Sequence, residues 1–324
     1  MAIILLPLQF LLQMNYETLN HGTAVPLLNP SYEPVSERVY EWAKRKGLFI
    51  DENEFRCCRS QKLNKFAARL FPKASKVELE QIMRLFLILF CLDDRADQLK
   101  GNIRVQFWKE LLHQYSAIKK NIAYTGTSAI IEVFQEVHWG WFRQCAADKE
   151  LGVRLINYVR KFLKAGLWEA KNLATNTSPT VIEYFSHLKH CSGAGIAIEL
   201  LAYLNIYPFG RLVHHPHLAP LYQTIVNLIC LSNDLSSYVK EAAAGDFHNL
   251  ILLKEQQYRI SREQSIERVK QHLAFHQKIF LNQVQLVREI PNVSPSEMEL
   301  LVKAINELLK GMELWAREDT GRYK

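Results

Sequence analysis

The sequence predicts an all-α protein, and three observations carry that expectation. Apolar residues recur at helical spacing through long runs, and no segment alternates with period two for long enough to make a strand. Only 13 Gly and 11 Pro punctuate 324 residues, so the elements are long. Hydrophobic residues make up 48% and charged residues 23%, which suits a large buried core. With no internal repeat, low-complexity run or linker, the reading is one domain of about ten or more helices over residues 15–324.

The first fourteen residues, MAIILLPLQFLLQM, are apolar but too short to span a bilayer, and Pro7 interrupts them. No Lys or Arg precedes them and no clean cleavage site follows. They read as an extension outside the fold with Met14 an alternative start, or else as a buried or membrane-touching arm. No other stretch reaches transmembrane length, so the protein is expected to be soluble without stable membrane insertion.

Residues 15–33 are polar and turn-rich and read as an irregular strap. Ser36 is placed as the cap of a helix, ERVYEWAKRKGLF, with Val39, Trp42 and Ala43 on one stripe and Gly47 as its stop. Within 60–71, Leu63, Phe66, Ala67, Leu70 and Phe71 keep helical spacing until Pro72. Ser75 starts the next helix, with Val77, Ile82, Leu85, Phe86 and Leu89 expected inwards. After Gly101 come helical patterns at 103–121, 127–146 and 148–176, the last strongly amphipathic. Pro179 is read into the first turn of a helix that Ser-Gly-Ala-Gly interrupts at 192–195. Each glycine inside a helix costs about 1 kcal/mol, so a pair there implies a built break. Residues 207–219 form a loop, and Pro216 and the lack of a fourth ligand make His214, His215 and His217 a connector rather than a metal cluster. Helices follow at 219–243, after 246, at 262–289 and at 295–317.

The formal charge is +7 and the pI about 9.0, yet Lys and Arg are dispersed with neither a basic tract nor interleaved aromatics. That pattern argues against nucleic acid and leaves a small polyanionic substrate open. The cysteines at 57, 58, 91, 145, 191 and 230 show no CxxC pair and no zinc spacing with histidine. They read as reduced thiols of a cytoplasmic protein.

Chemistry concentrates in LFLILFCLDDRADQ, residues 85–98, where an apolar helical run ends in Asp93, Asp94 and Asp97. At about 100° per residue the three acids share an arc of about 100°, above Phe86, Leu89 and Phe90. Clustered carboxylates repel one another unless a positive partner holds them together. A hard divalent cation such as Mg²⁺, keeping part of its shell for a phosphate, is the natural candidate. A solvated acidic helix end is the alternative. A second oxygen-rich row tips the balance. In LSNDLSSYVKE, Asn233, Ser237 and Glu241 recur every four residues on one helix face, offering amide, hydroxyl and carboxylate oxygens. Lys240 is placed to reach a phosphate held there.

These motifs resemble those of class I terpene synthases. DDRAD at 93–97 resembles their aspartate-rich motif, and NDLSSYVKE at 233–241 is similar to their second metal motif, N-D-x-x-S-x-x-x-E. WAREDTGRYK at 315–324 resembles the C-terminal Arg-Tyr pair of the bacterial members, and VPLLNPSYEPVSERVYEWAKRKGL is similar to the start of their catalytic domain. The resemblance implies a helical bundle around a deep apolar cavity, with three Mg²⁺ ions holding a prenyl diphosphate at its mouth. It implies metal ligation by Asp93 and Asp97, with Asp94 ligating or pairing with cations, and by Asn233, Ser237 and Glu241. It implies diphosphate contacts from Lys240, Arg322 and Tyr323, and a pocket formed by Phe86, Leu89, Phe90, Gly193 and Trp315. The family also places a diphosphate-sensing arginine just before the helix break, where this chain has Lys189, followed by Ser192 and Gly193. Lysine keeps the charge but loses the bidentate fork, so either triggering is less efficient or His187 or another cation shares the role. The implied reaction is cyclisation of a prenyl diphosphate, farnesyl ahead of geranylgeranyl. The alternatives are a chain-elongating prenyltransferase of the same fold and a non-catalytic helical binding protein. A homodimer is left open.

Overall fold

The computed structural model describes residues 28–119, 128–144, 149–204 and 210–322. The apolar extension at 1–14, most of the strap at 15–33, Tyr323 and the side chain of Lys189 lie outside the described residues.

Helix α1 (Tyr32–Arg45) begins five residues earlier than the sequence suggests. Pro34 reads as a strap residue, but in a first helical turn its missing N–H is one that has no intrahelical acceptor anyway. Ser36 is therefore inside the helix, buried, where its carbonyl and hydroxyl accept from the Asn64 amide. Helix α2 (Glu52–Ser60) left no apolar stripe in the sequence because Cys58 is its buried residue. Its start is held by Asp51, whose carboxylate accepts from the N–H groups of Asn53 and Glu54. Helix α3 (Leu63–Leu70) follows at once, entered through Lys62 at φ 52°.

The central element is α4 (Lys76–Gln98), started by a reciprocal Ser75–Glu78 capping box. Ile82, Leu85, Phe86 and Leu89 are buried in it, whereas Val77, in the first turn, is 59% exposed and faces outwards. Helix α5 (Gly101–Lys119) lies along α7 (Lys149–Thr175), and α6 (Ala129–Gln144) packs on α4. Close approach of α5 and α7 depends on Gly166, where a Cβ would sit 2.7 Å from the Trp108 ring.

Pro179 lies just before α8 (Val181–Cys191) rather than in its first turn, because Thr180 is the cap, again with a capping box to Glu183. The chain then breaks at Gly193, φ +68°, and restarts as α9 (Ala194–Tyr203). Two short 3₁₀ turns, Gly210–His214 and Pro216–Leu218, occupy the histidine segment, with His214 Nε2 3.4 Å from Glu199. Helix α10 (Ala219–Ala244) stops at Gly245, and α11 (Leu250–Tyr258) and α12 (Arg262–Val287) pack beside it. Helix α13 (Pro295–Leu314) packs on α3 and ends in a π-helical turn, Trp315–Asp319.

Among the described residues there is no strand, and no helix is long and apolar enough to cross a membrane. One continuous hydrophobic core joins all of these helices. The helices carrying the two oxygen-rich rows, α4 and α10, both line a single cavity in that core.

Candidate active site

The cavity holds about 270 Å³. Its inner wall is apolar because α4 presents Phe86, Leu89 and Phe90, and α10 presents Leu228 and Ile229. Phe66, Phe86, Phe90 and Trp315 form a connected aromatic cluster, with ring centroids 4.9–5.8 Å apart. Trp315 is pinned by its indole N–H, which donates to Lys62 O at 3.0 Å. Ser192 and Gly193 bring the α8–α9 break to the wall, beside Cys230. There the Ser192 hydroxyl accepts from Ala194 N and from Cys230 Sγ.

At the mouth, Asp93, Asp94 and Asp97 can each turn an oxygen to within 4.8 Å of the others. Such a group is electrostatically unstable alone, and three cations from other elements answer it. Arg322 Nη2 donates to Asp93 at 3.1 Å, and its Nη1 donates to Asp94 at 2.8 Å and to Gln61 Oε1 at 2.8 Å. Arg104 Nη2 donates to Asp97 at 3.1 Å, and Lys240 Nζ lies 3.5 Å from the same carboxylate. Asp93 is enclosed by the cavity walls while 46% of its side-chain surface stays open to the cavity. That enclosure, followed by the charge of Asp97, pushes its carboxyl up to about 7, against the pull of Arg322.

Across the mouth, α10 offers Asn233, Ser237 and Glu241. The Ser237 hydroxyl donates back to Asn233 O at 2.8 Å and accepts a long bond from Asn249 Nδ2 at 3.5 Å, which leaves one oxygen lone pair for a further partner. Glu241 accepts from the Asn249 amide at 2.8 Å. Burial first, then the nearby Asp234 charge, pushes its carboxyl up to about 8. Carboxyls raised in this way, facing hard oxygen donors, are groups that a divalent cation would deprotonate and neutralise.

Several residues that build this site carry no signal in the motif spacing. Asp234 reads as part of the second row but turns away from the ligand face. It is 2% exposed and accepts from Tyr184 Oη at 2.9 Å and Leu250 N at 3.0 Å, tying α10 to α8 and α11. Burial pushes it up to about 7 despite those donors. Asn249 is fully buried and donates to Asp234 O and Glu241 while its Oδ1 caps α11. Asp246 accepts from His248 Nδ1 at 2.7 Å. Burial opposes the Asp246 charge, but that hydrogen bond and the His248 charge hold it below the usual carboxylate range. His187 is stacked flat on Trp168, centroids 4.0 Å apart, and is not among the cavity-lining residues. Only Asp234 stood inside a recognised motif; Asp246 and Asn249 lie on the segment that follows and meet the α10 row through the fold, whereas His187 does not.

The C-terminal segment is seated on the α2–α3 corner. Asp319 is gripped by Lys65 at 2.6 Å and Arg69 at 2.7 Å, and Thr320 Oγ1 donates to Gln61 O at 2.8 Å. This anchorage delivers Arg322 to Asp93 and Asp94, with its guanidinium 5.3 Å above the Phe90 ring.

Comparison with known proteins agrees with this architecture. The family described as terpene synthase family 2, C-terminal metal binding, matches residues 84–275, which include both rows. A (+)-eremophilene synthase of Sorangium cellulosum is 24% identical over 306 residues, covering 91% of this chain and 89% of that protein. A (+)-T-muurolol synthase of Roseiflexus castenholzii, described as cyclising (2E,6E)-farnesyl diphosphate, is 27% identical over 254 residues, 74% of each chain. Among solved structures, the linalool/nerolidol synthase of Streptomyces clavuligerus superposes with a TM-score of 0.78 at 17% identity. It covers 91% of this chain and all of that one. An α-eudesmol synthase gives a TM-score of 0.76 at 19% identity, covering 92% and 99%.

Proposed function

The chain belongs to the terpene synthase family, as a class I enzyme of the bacterial type, and from that premise we propose that it ionises and cyclises farnesyl diphosphate with Mg²⁺. The observation that carries this reading is the meeting of two oxygen-rich rows, from α4 and α10, at the single mouth of one apolar cavity.

The donor set fits the metal. Asp93 and Asp97 on one side and Asn233, Ser237 and Glu241 on the other would hold Mg²⁺, three ions in all, with Asp94 occupied by Arg322. When bound, the metal neutralises the diphosphate and stabilises the negative charge that builds on it as the allylic C–O bond breaks. Lys240 and Arg322 add N–H donors to the departing diphosphate, and Tyr323 and Lys189 are assigned the same task. A cation formed beneath them meets Phe66, Phe86, Phe90 and Trp315, which cannot capture it as nucleophiles. Each aromatic face attracts a cation by about 0.5–2 kcal/mol. The Asp319 anchorage keeps the C-terminal segment over the mouth, which excludes water from that cation.

Farnesyl diphosphate is preferred over geranylgeranyl diphosphate on two grounds. The cavity, at about 270 Å³, falls just below the usual span of ligand sites, which run from roughly 300 to 1,000 Å³. The T-muurolol synthase is also described as acting on the farnesyl substrate. Chain elongation is disfavoured by the neutral amide of Asn233 where a second aspartate-rich motif would start. Free thiols at Cys57, Cys58, Cys91 and Cys230 support placing the enzyme in the cytoplasm.

Purified protein incubated with geranyl, farnesyl or geranylgeranyl diphosphate and Mg²⁺ is expected to release diphosphate and a cyclic sesquiterpene from the farnesyl substrate. Acyclic prenols alone, or no release from any of the three, would overturn the proposal. Incorporation of labelled isopentenyl diphosphate would favour chain elongation instead.

A further inference from the structure

We propose that Arg104 is a diphosphate-binding residue of this enzyme, supplying from α5 the forked cation that the chain lacks at Lys189. The assignment rests on the reading of the site as one that ionises a prenyl diphosphate, and identifies a residue that no motif of the family marks.

Arg104 stands in the first turn of α5, immediately after the turn that leaves the acidic end of α4. It is only 9% exposed, and it lines both the main cavity and an adjoining cavity of about 170 Å³. Asp97, Lys240, Glu241 and Asp246 border the same two cavities, so Arg104 sits where the edges of both rows converge. Its Nη2 donates to Asp97 at 3.1 Å and lies 3.9 Å from Asp246, spanning from the α4 row to the loop behind the α10 row.

The decisive detail is Arg104 Nε, which is buried and has no hydrogen-bond partner. A buried, unpaired N–H on a permanently charged group is costly to keep, and native structures rarely tolerate one without a use. Guanidinium presents five N–H groups in a planar fork that matches phosphate oxygens two at a time. Arg322 has committed both of its terminal nitrogens to Asp93, Asp94 and Gln61. Arg104 has committed one to Asp97. Asp97 is shared between Arg104 and Lys240, so a divalent ion taking that carboxylate leaves two cations on the same side of the mouth. Both then face the position a diphosphate would occupy.

The competing role is that of a strut, in which Arg104 only braces Asp97 against Asp246. The two roles separate in a binding experiment on the full chain with inorganic diphosphate as the probe. Titrating diphosphate calorimetrically at saturating Mg²⁺, Arg104→Gln is expected to weaken binding about tenfold or more, since tenfold corresponds to about 1.4 kcal/mol. Arg104→Lys, which keeps charge without the fork, is expected to fall closer to Arg104→Gln than to the wild type. Thermal stabilisation by Mg²⁺ alone is expected to be retained in both variants, because Asp97 loses a competing cation. Unchanged diphosphate affinity overturns the proposal, and so does a loss of Mg²⁺ stabilisation that accounts for the whole effect. If Arg104→Gln does not fold, Arg104→Lys decides by the same criteria. If Asp93→Asn abolishes diphosphate binding while Arg104→Gln keeps it, Arg104 alone is wrongly assigned. Absence of binding in the wild type would remove the proposed function and this assignment together.

Discussion

The two rows at the cavity mouth offer similar oxygens but are held in opposite ways. The α4 row is a concentration of charge, with Asp93, Asp94 and Asp97 paired to Arg322, Arg104 and Lys240 from three other elements. The α10 row has one carboxylate, and its surroundings are neutral hydrogen bonds, namely Asn249 to Glu241 and Ser237 back to Asn233. Beneath it, buried Asp234 bolts α10 to α8 and α11. The two rows divide the labour. The acids of the α4 row open onto the cavity mouth although their arginine partners are buried, so a bound cation can take the place of those partners and the row can trade cationic side chains for metal and substrate. Buried amide and carboxylate networks lose much when one partner is removed, so the α10 row is a fixed platform.

The largest expected effect breaks the charged side. Asp93→Asn should lower turnover of farnesyl diphosphate by about a thousandfold or more, in line with the loss of a principal electrostatic contribution to catalysis. Because it removes a carboxylate crowded by Asp97, the metal-free protein should be as stable as the wild type or more so in urea unfolding. Equal activity, or a marked loss of stability, would contradict the exchangeable role of that row.

Asn249→Ala should do the reverse. It takes the donor from Glu241 and Asp234 O and removes the α11 cap, at a cost of about 2–4 kcal/mol. Activity should fall mainly through the folded population and Glu241 placement. A neutral result would show that the α10 platform is held by something else.

A smaller effect, in the pH dependence, sharpens the same contrast. Asp93 and Asp234 near 7 and Glu241 near 8 are all raised above their ordinary values. The folded protein therefore holds protons that the unfolded chain has released. Stability from these groups is fully present below about pH 4 and lost as pH rises through 7–8. Metal-free protein should melt at progressively lower temperature from pH 5.5 to about pH 8.5. Added Mg²⁺ should raise the melting temperature more at the alkaline end, because its ligands must be deprotonated. A Mg²⁺ effect that is independent of pH would mean the rows bind no metal through these carboxylates.

Helices and their breaks were legible in the sequence where the signal is local. Ser75-x-x-Glu78 marks a start by its own capping chemistry, and Gly193 marks the break by the left-handed backbone that glycine takes without strain, whereas the start at Thr180 was placed too early, at Pro179. Helix α2 was not legible, because one buried cysteine makes no stripe. Val77 keeps apolar spacing yet faces water, because it stands on the outer side of a turn whose Glu78 and Leu79 are buried. Within the site, the two rows are regular in spacing and could be read directly. Asn249 and Asp234 could not, because they are fifteen residues apart in sequence and meet only when α10 and α11 pack, Asn249 Nδ2 reaching Asp234 O at 2.9 Å. Arg104 had only one faint signal, an arginine one turn into the helix that follows the acids.

That the two rows act as one clamp is tested most directly by calorimetric titration of inorganic diphosphate, with and without Mg²⁺, into the wild type and the single variants Asp93→Asn and Asn233→Ala. Binding is predicted only with Mg²⁺, and either substitution should abolish it or weaken it by about a hundredfold. Diphosphate binding without metal, or full affinity after either substitution, would contradict a shared clamp.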